Sequence, residues 1–433
     1  TLVTSANDAT ITLTNTSNAF GQGNNDAGRV GLSTQGISGN VTLVQGDGNG
    51  YLDFDTSEVG GNLTVTTGTG GRVTQTGILT VDGTTDINAD DRLQNVILNG
   101  YENVLTGEVS LKCWNCKVKN SKALELGTVD AKAIIATARG AITQSAASVI
   151  TATSSNQNAL FTAQSSDGNT DYDITLENPS NDFTGFLKVV AANVSVRDTN
   201  AIKLKESTVS GNYALTAGGA VTDSGDLDIE GTTTVSASGF NITLDRAGHD
   251  FTGAVAVVGA NVTLVDANAI DLGASDVSGT YAVTATAGGD ITDSGVLDIT
   301  GNATFTAAAG QQVILDSNNT FAGTVTFSTP SGSLKNVTIT DTTALDLTAL
   351  TLAQVSSAGG DLTVTTGGAL TDTGPLIIPG TTTITATGQT VALDNTSNNF
   401  GTILFGSSTN AVSSVVVEDV NAIEIGASKS TGN

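Results

Sequence analysis

Apolar positions alternate with Thr or small residues in short runs along this chain, as in Ala254-Val255-Ala256-Val257-Val258, Val262-Thr263-Leu264-Val265, Tyr281-Ala282-Val283-Thr284 and Ala303-Thr304-Phe305-Thr306. A period of two sends successive side chains to opposite faces of an extended ribbon, and β-branched residues fit that pleat. Gly, Asn and Asp break the runs every few residues, which marks turns. No stretch keeps an apolar period of about 3.6 residues long enough to make a helix. The pattern predicts an all-β chain.

Three landmarks recur in fixed order. A Phe within an Asn/Asp-rich turn returns at Phe20, Phe183, Phe251, Phe321 and Phe400, with Leu105 in its place once, at intervals of 85, 78, 68, 70 and 79 residues. The peptide Asn268-Ala269-Ile270-Asp271-Leu272 reappears as Asn200-Ala201-Ile202-Lys203-Leu204, Asn421-Ala422-Ile423-Glu424-Ile425, Thr343-Ala344-Leu345-Asp346-Leu347 and Lys122-Ala123-Leu124-Glu125-Leu126. Thr292-Asp293-Ser294-Gly295 is echoed by Thr222-Asp223-Ser224-Gly225 and Thr371-Asp372-Thr373-Gly374, and more faintly by Thr74-Gln75-Thr76-Gly77. Retained order means duplicated units, here 1–20 (partial), 21–105, 106–183, 184–251, 252–321, 322–400 and 401–433 (partial).

A unit of about 70 residues divides into three coils of about 23 residues, the size of one turn of a parallel β-helix. The expectation is a right-handed β-solenoid running through residues 1–433. It would have roughly 19 coils and form a rod about 90 Å long at ~4.8 Å per coil. A string of Ig-like sandwiches would need units of about 100 residues, each with a core Trp, and the chain holds one Trp.

Composition supports the coil. With 51 Gly and only 4 Pro, tight turns are plentiful and few ladder donors are lost. The net charge of −26 argues against nucleic-acid binding and fits plain solubility, cation binding or basic partners. The chain has no Met, starts at Thr1 and shows neither a signal peptide nor an apolar run long enough to insert in a membrane. It therefore reads as a processed or excised piece. Segment 1–20 aligns without a gap to 381–400, and 426–433 aligns to 273–280, so both ends fall on coil boundaries. Open ladder edges there would be completed by more of the same repeats or by copies stacking end to end.

The runs Asn181-Asp182-Phe183-Thr184-Gly185, Asn261-Val262-Thr263-Leu264-Val265 with Asn268-Ala269-Ile270, and Thr222-Asp223-Ser224-Gly225 resemble the repeats of very large bacterial adhesins of the filamentous haemagglutinin type. The resemblance covers nearly all of the chain and is best from residue 180 onward. It implies a right-handed parallel β-helix, export across a Gram-negative envelope to the cell surface or beyond, and a role in adhesion, biofilm matrix or surface filaments. The amino-terminal secretion and capping domain of that family has no counterpart in this sequence, so the export route is left open.

Candidate chemistry is sparse. Cys113-Trp114-Asn115-Cys116 has redox or metal spacing, yet zinc would want a second pair, and Lys117 stands where a c-type haem site needs His. Segments 107–124, 185–202 and 253–270 align without gaps, which puts Cys113 and Cys116 in a turn between two strands. A disulfide stapling that turn is expected; reduced thiols and an interchain bridge are the alternatives. A thioredoxin-like site would need a helix N-terminus, and no helix is predicted. Lys112, Lys117, Lys119, Lys122, Lys132 and Arg139 are 6 of 16 basic residues. With Trp114, the four lysines Lys112, Lys117, Lys119 and Lys122 form a candidate contact patch for an acidic neighbouring rod, an anionic glycan or a cell-surface receptor. Local charge balance is the alternative.

For catalysis the expectation is none. His249, the only histidine, takes the place of Asn181 beside the repeat Phe, and Asp223, Asp293 and Asp372 recur with the unit. The alternative is a carbohydrate-active β-helix enzyme, a polysaccharide lyase or hydrolase, which needs a singular cleft of acids and a base. Gly46-Asp47-Gly48-Asn49-Gly50 offers Asp47, Asn49 and Asp53 as calcium ligands, against a plain loop turn, because the motif occurs once. No other cofactor is expected. Sequons such as those at Asn40, Asn62, Asn193 and Asn261 are frequent and permit glycosylation. The sequence thus points to an extracellular structural protein, a shaft or filament subunit.

Overall fold

A computed structural model describes residues 2–3, 11–13, 28–30, 32–33, 39–46, 51–89, 94–154, 158–354, 358–406 and 411–426. Among them there are strands, turns and bends and no helix, and no helix long and apolar enough to cross a membrane. The chain forms two compact units, Thr1–Gly218 and Gly219–Asn433. Each is a parallel β-solenoid.

In the first unit Val41–Gln45 pairs with Leu63–Thr67, which pairs with Thr85–Ala89, which pairs with Val109–Asn120, all parallel. One long strand, Leu124–Ala138, bends along the next coil and pairs in turn with Ile142–Gln144, Ile150–Ala152 and Asn158–Ala163. In the second unit Val221–Asp223, Ile242–Leu244, Val262–Asp266, Tyr281–Ala285, Ala303–Ala307 and Val325–Ser328 stack in that order.

The period of two in the sequence is the reason this works. Val41–Gln45, Leu63–Thr67 and Val262–Asp266 each bury every second residue. Register then piles like on like. Leu43, Val65, Ile87, Leu111 and Val129 form one inward column, none more than 1% exposed. Leu244, Leu264, Val283, Phe305 and Phe327 form another. Each such side chain contributes about 1.5–3 kcal/mol by leaving water. Phe305 also meets the rings of Tyr281 and Phe321 edge-on at 6.1 Å and stacks on Phe327 at 6.0 Å.

Asparagines hold the corners. The backbone N–H of Asn62 donates to Asn40 Oδ1 at 2.8 Å, and that of Thr84 donates to Asn62 Oδ1 at 3.0 Å, one coil on each time. Asn193 and Asn261 accept in the same way from Asn212 and Thr280. Asn40, Asn62, Asn193 and Asn261 therefore each have a structural duty at a corner.

Some coils approach so closely that only glycine fits. A Cβ on Gly295, the glycine of the Thr-Asp-Ser-Gly landmark, would lie 2.1 Å from the Ala274 nitrogen.

Among the described residues the strands wind through about 17 turns, fewer than the roughly 19 expected from a uniform coil of ~23 residues. Coil length is not uniform. Val109 pairs with Leu126, 17 residues on, whereas Ile142 pairs with Ile174, 32 residues on. The long coil carries an excursion closed by the antiparallel bridge between Gln164 and Asp171.

Candidate functional site

The sequence landmarks meet inside the solenoid. Asn319 is fully buried. Its Oδ1 accepts from the Leu297 N–H at 2.8 Å, and its Nδ2 donates to Asp293 Oδ2 at 2.7 Å. Asn398 repeats the arrangement with the Leu376 N–H at 2.8 Å and Asp372 Oδ2 at 2.7 Å. In the first unit Asn103 accepts from the Leu79 N–H and exchanges amide bonds with Gln75. Asn181 does so with the Ile150 N–H and Gln144. The Asp or Gln of one landmark thus grips the Asn that precedes the Phe of the other.

The link continues into the next coil. The N–H of Phe183 donates to Asp198 Oδ2 at 2.7 Å, that of Phe251 to Asp266 Oδ2 at 2.8 Å, and that of Phe400 to Asp419 Oδ2 at 2.7 Å. Where Leu105 replaces Phe, Asn120 replaces the Asp and accepts from the Leu105 N–H at 2.9 Å. The same aspartates cap the third landmark, since Asp198 accepts from the Asn200 N–H, Asp266 from Asn268, Asp341 from Thr343 and Asp419 from Asn421. Buried polar groups must be partnered, and this staple partners them across three successive coils. Burial pushes the carboxyls of Asp198, Asp266, Asp293, Asp341 and Asp372 above the ordinary carboxylate value, against the lowering effect of their hydrogen bonds.

His249 is one more version of the staple. Its ring is fully buried after a turn; Nδ1 accepts from the Leu227 N–H at 2.9 Å, and Nε2 faces Asp223 Oδ2 at 2.5 Å. Burial holds the imidazole below its ordinary pKa, with the Asp223 carboxylate opposing. The sequence showed these landmarks but not their mutual bonding. The available signal was a shared separation: Asp223 to His249, Asp293 to Asn319 and Asp372 to Asn398 are each 26 residues.

Cys113 and Cys116 are disulfide-bonded, with Cα atoms 5.7 Å apart, and both are buried. Residues three apart on a straight strand face opposite ways, so inward sulfurs at both positions require a corner between them. The strand Val109–Asn120 runs through that corner without a break, because pairing with the next coil continues at Cys113, Asn115 and Cys116. Trp114 stands outward there, 40% exposed.

The candidate patch wraps this corner and does not lie on one face. Lys112 precedes it, in register with Asn88 and Asp130, while Lys117 and Lys119 follow it on the adjoining side. Lys119 and Arg139 converge on Glu102 Oε1 at 2.7 and 3.1 Å. Lys132 donates to Thr153 Oγ1, and Lys122 is exposed in the following turn.

Of the calcium candidates, Asp47 and Asn49 lie outside the described residues. Asp53 is buried and accepts from Thr74 Oγ1 and Thr76 Oγ1 at 3.1 and 3.0 Å. Among the described residues no group of three or more His, Cys, Asp or Glu is placed to hold a metal ion. A depression of about 460 Å³ on the outer wall of the first unit is lined by Thr66, Asp86, Asn88, Ser110, Lys112 and Asp130. Burial, then the Glu108 carboxylate, raises the pKa of Asp86.

No curated protein and no solved structure matches the chain. Five successive segments, 38–112, 115–190, 191–258, 259–328 and 334–405, match a single repeat family, and the chain belongs to it: the repeats of unknown function, DUF5649.

Proposed function

We propose that this chain is an extracellular structural protein, the shaft or a filament subunit of a bacterial surface adhesin or matrix fibre. The observation that supports it best is the recurring staple. The buried polar chemistry returns with every repeat and joins coil to coil, as a load-carrying array requires. The buried Cys113–Cys116 disulfide fits an oxidising compartment, and the repeat sequences resemble filamentous haemagglutinin-type adhesins. At the last described coil Val415, Val416, Val420 and Ile425 are exposed, and a further coil, from more repeats or from a second copy stacked end to end, is the proposed cover.

Immunogold electron microscopy and protease shaving of intact cells test the reading. Labelled surface fibres that disappear on shaving are expected. Protein retained inside intact cells refutes it.

A second reading, a glycan-active enzyme, draws on the depression that groups Asp86, Lys112 and Asp130. Turnover of a polysaccharide, lost in Asp86→Asn with the fold intact, would favour that reading over a purely structural role.

A further inference from the structure

One outer face of the first unit departs from the Thr, Asp and Asn that water normally meets on this solenoid. In the register of five successive coils, Ile97, Lys117, Ile135, Leu160 and Lys188 form a single outward column. All five are half-buried. The column beside it runs Asn158, Phe186, Lys203, and the ammonium groups of Lys203 and Lys205 lie 5.2 and 5.5 Å from the Phe186 ring centroid. On the other side Lys119, Thr137, Thr162, Val190 and Thr208 stack in register. The result is an aliphatic and aromatic floor studded with lysines, the composition of a contact surface.

The second unit carries the complement. Asp228 sits directly opposite Asp250, and Asp276 directly opposite Asp298. Like charges in cross-strand register repel, so these ladders gain when a cation approaches from outside. Charge is divided just as unevenly between the units. The first holds 13 basic and 21 acidic residues, net −8; the second holds 3 basic and 21 acidic, net −18. Of the 16 basic residues, 10 fall from Lys112 to Lys205.

The geometry points to lateral self-association, in which the lysine-studded stripe of one copy docks on the aspartate ladders of the second unit of another copy. Each copy carries both surfaces, so the contact pairs the stripe of one copy with the ladders of another. It deepens the fibre reading, on which it rests, by naming the partner: a second copy of this chain.

The test uses the full chain in sedimentation velocity at about 50 mM and about 500 mM salt, where the screening length differs severalfold. Wild type should associate with rising concentration at low salt and dissociate at high salt. Lys117→Glu combined with Lys203→Glu and Lys205→Glu should weaken association at least about tenfold, the scale of lost charge complementarity. Circular dichroism checks that the variant is folded. Adding Asp276→Lys and Asp298→Lys to the reversed stripe should restore association. A wild type that stays monomeric at low salt overturns the proposal, and so does a folded triple variant that associates like wild type, or one that the ladder reversal fails to rescue. Association that passes these tests in a protein retained inside cells would refute the surface fibre and leave the interface standing.

Discussion

Replacing Asn319 with Leu fills much the same space and cuts both arms of one staple. The Leu297 N–H loses its 2.8 Å acceptor and the Asp293 carboxylate loses its 2.7 Å donor. A buried amide without a partner costs about 1–3 kcal/mol and a lost bond to a charged group about 1.5–3 kcal/mol. Asp293 keeps the Asp316 and Ser317 backbone donors, so the sum should fall near 3–5 kcal/mol. In a repeat array this loss is local. The assay is amide hydrogen exchange at Leu297, where 3–5 kcal/mol corresponds to about two to four powers of ten in the opening equilibrium. Asn319→His should cost far less, because His249 makes both bonds in its own repeat. Asn319→Asp should be the most damaging at neutral pH, since it sets a carboxylate against Asp293. Leu297 exchange within about threefold of wild type in Asn319→Leu would refute the reasoning, because an unpartnered buried amide cannot be that cheap.

Three further outcomes follow from the same geometry. His249 has a depressed pKa in the fold, so its contribution is present above the unfolded value of about 6.5 and fades as pH falls through it toward the folded pKa. The aspartates 293 and 372 are shifted upward, so they bind protons more readily when folded, and mild acid stabilises their staples. Relative to the intrinsic exchange rate at each pH, protection at Leu227 should therefore fall between about pH 7 and pH 5 while protection at Leu297 and Leu376 does not, and an equal loss of protection at all three amides would contradict the assignment. Phe251→Ala empties a site that is 1% exposed and should cost about 3–5 kcal/mol, read as faster exchange in the flanking coils; a loss below about 1 kcal/mol would mean the column repacks. Reducing the Cys113–Cys116 disulfide opens a loop of four residues and should cost at most about 2 kcal/mol, seen as loosening confined to Val109–Asn120. Global melting on reduction would show the staple to be far more than a corner clip.

How much of this was legible beforehand varies by feature. The coil was readable because the alternation in Val262-Thr263-Leu264-Val265 survives intact as an inward and outward face. The coil count was not, because turn residues such as those between Gln164 and Asp171 lengthen one coil without disturbing the core. Landmarks were visible as repeats, yet the bond between Asp293 and Asn319 depends on which coil lies over which, and no local pattern encodes that. Lys112 and Lys117 are neighbours in sequence and are parted by the corner that holds Cys113 and Cys116. The outward column has the opposite problem. Ile97, Lys117, Ile135, Leu160 and Lys188 are far apart along the chain and become adjacent only through register.

The three-coil staple also bears on how such a gene can change its length. A crossover that inserts or deletes one whole repeat in phase hands each such Asn back to an Asp or Gln and each Phe or Leu amide back to an Asp or Asn oxygen, so the new protein inherits a finished interior. A crossover out of phase strands a carboxylate in one coil and an amide in the next, with no water to rescue either. Variants of this gene should therefore differ by integral numbers of repeats, and the interior hydrogen bonding acts as the proofreader.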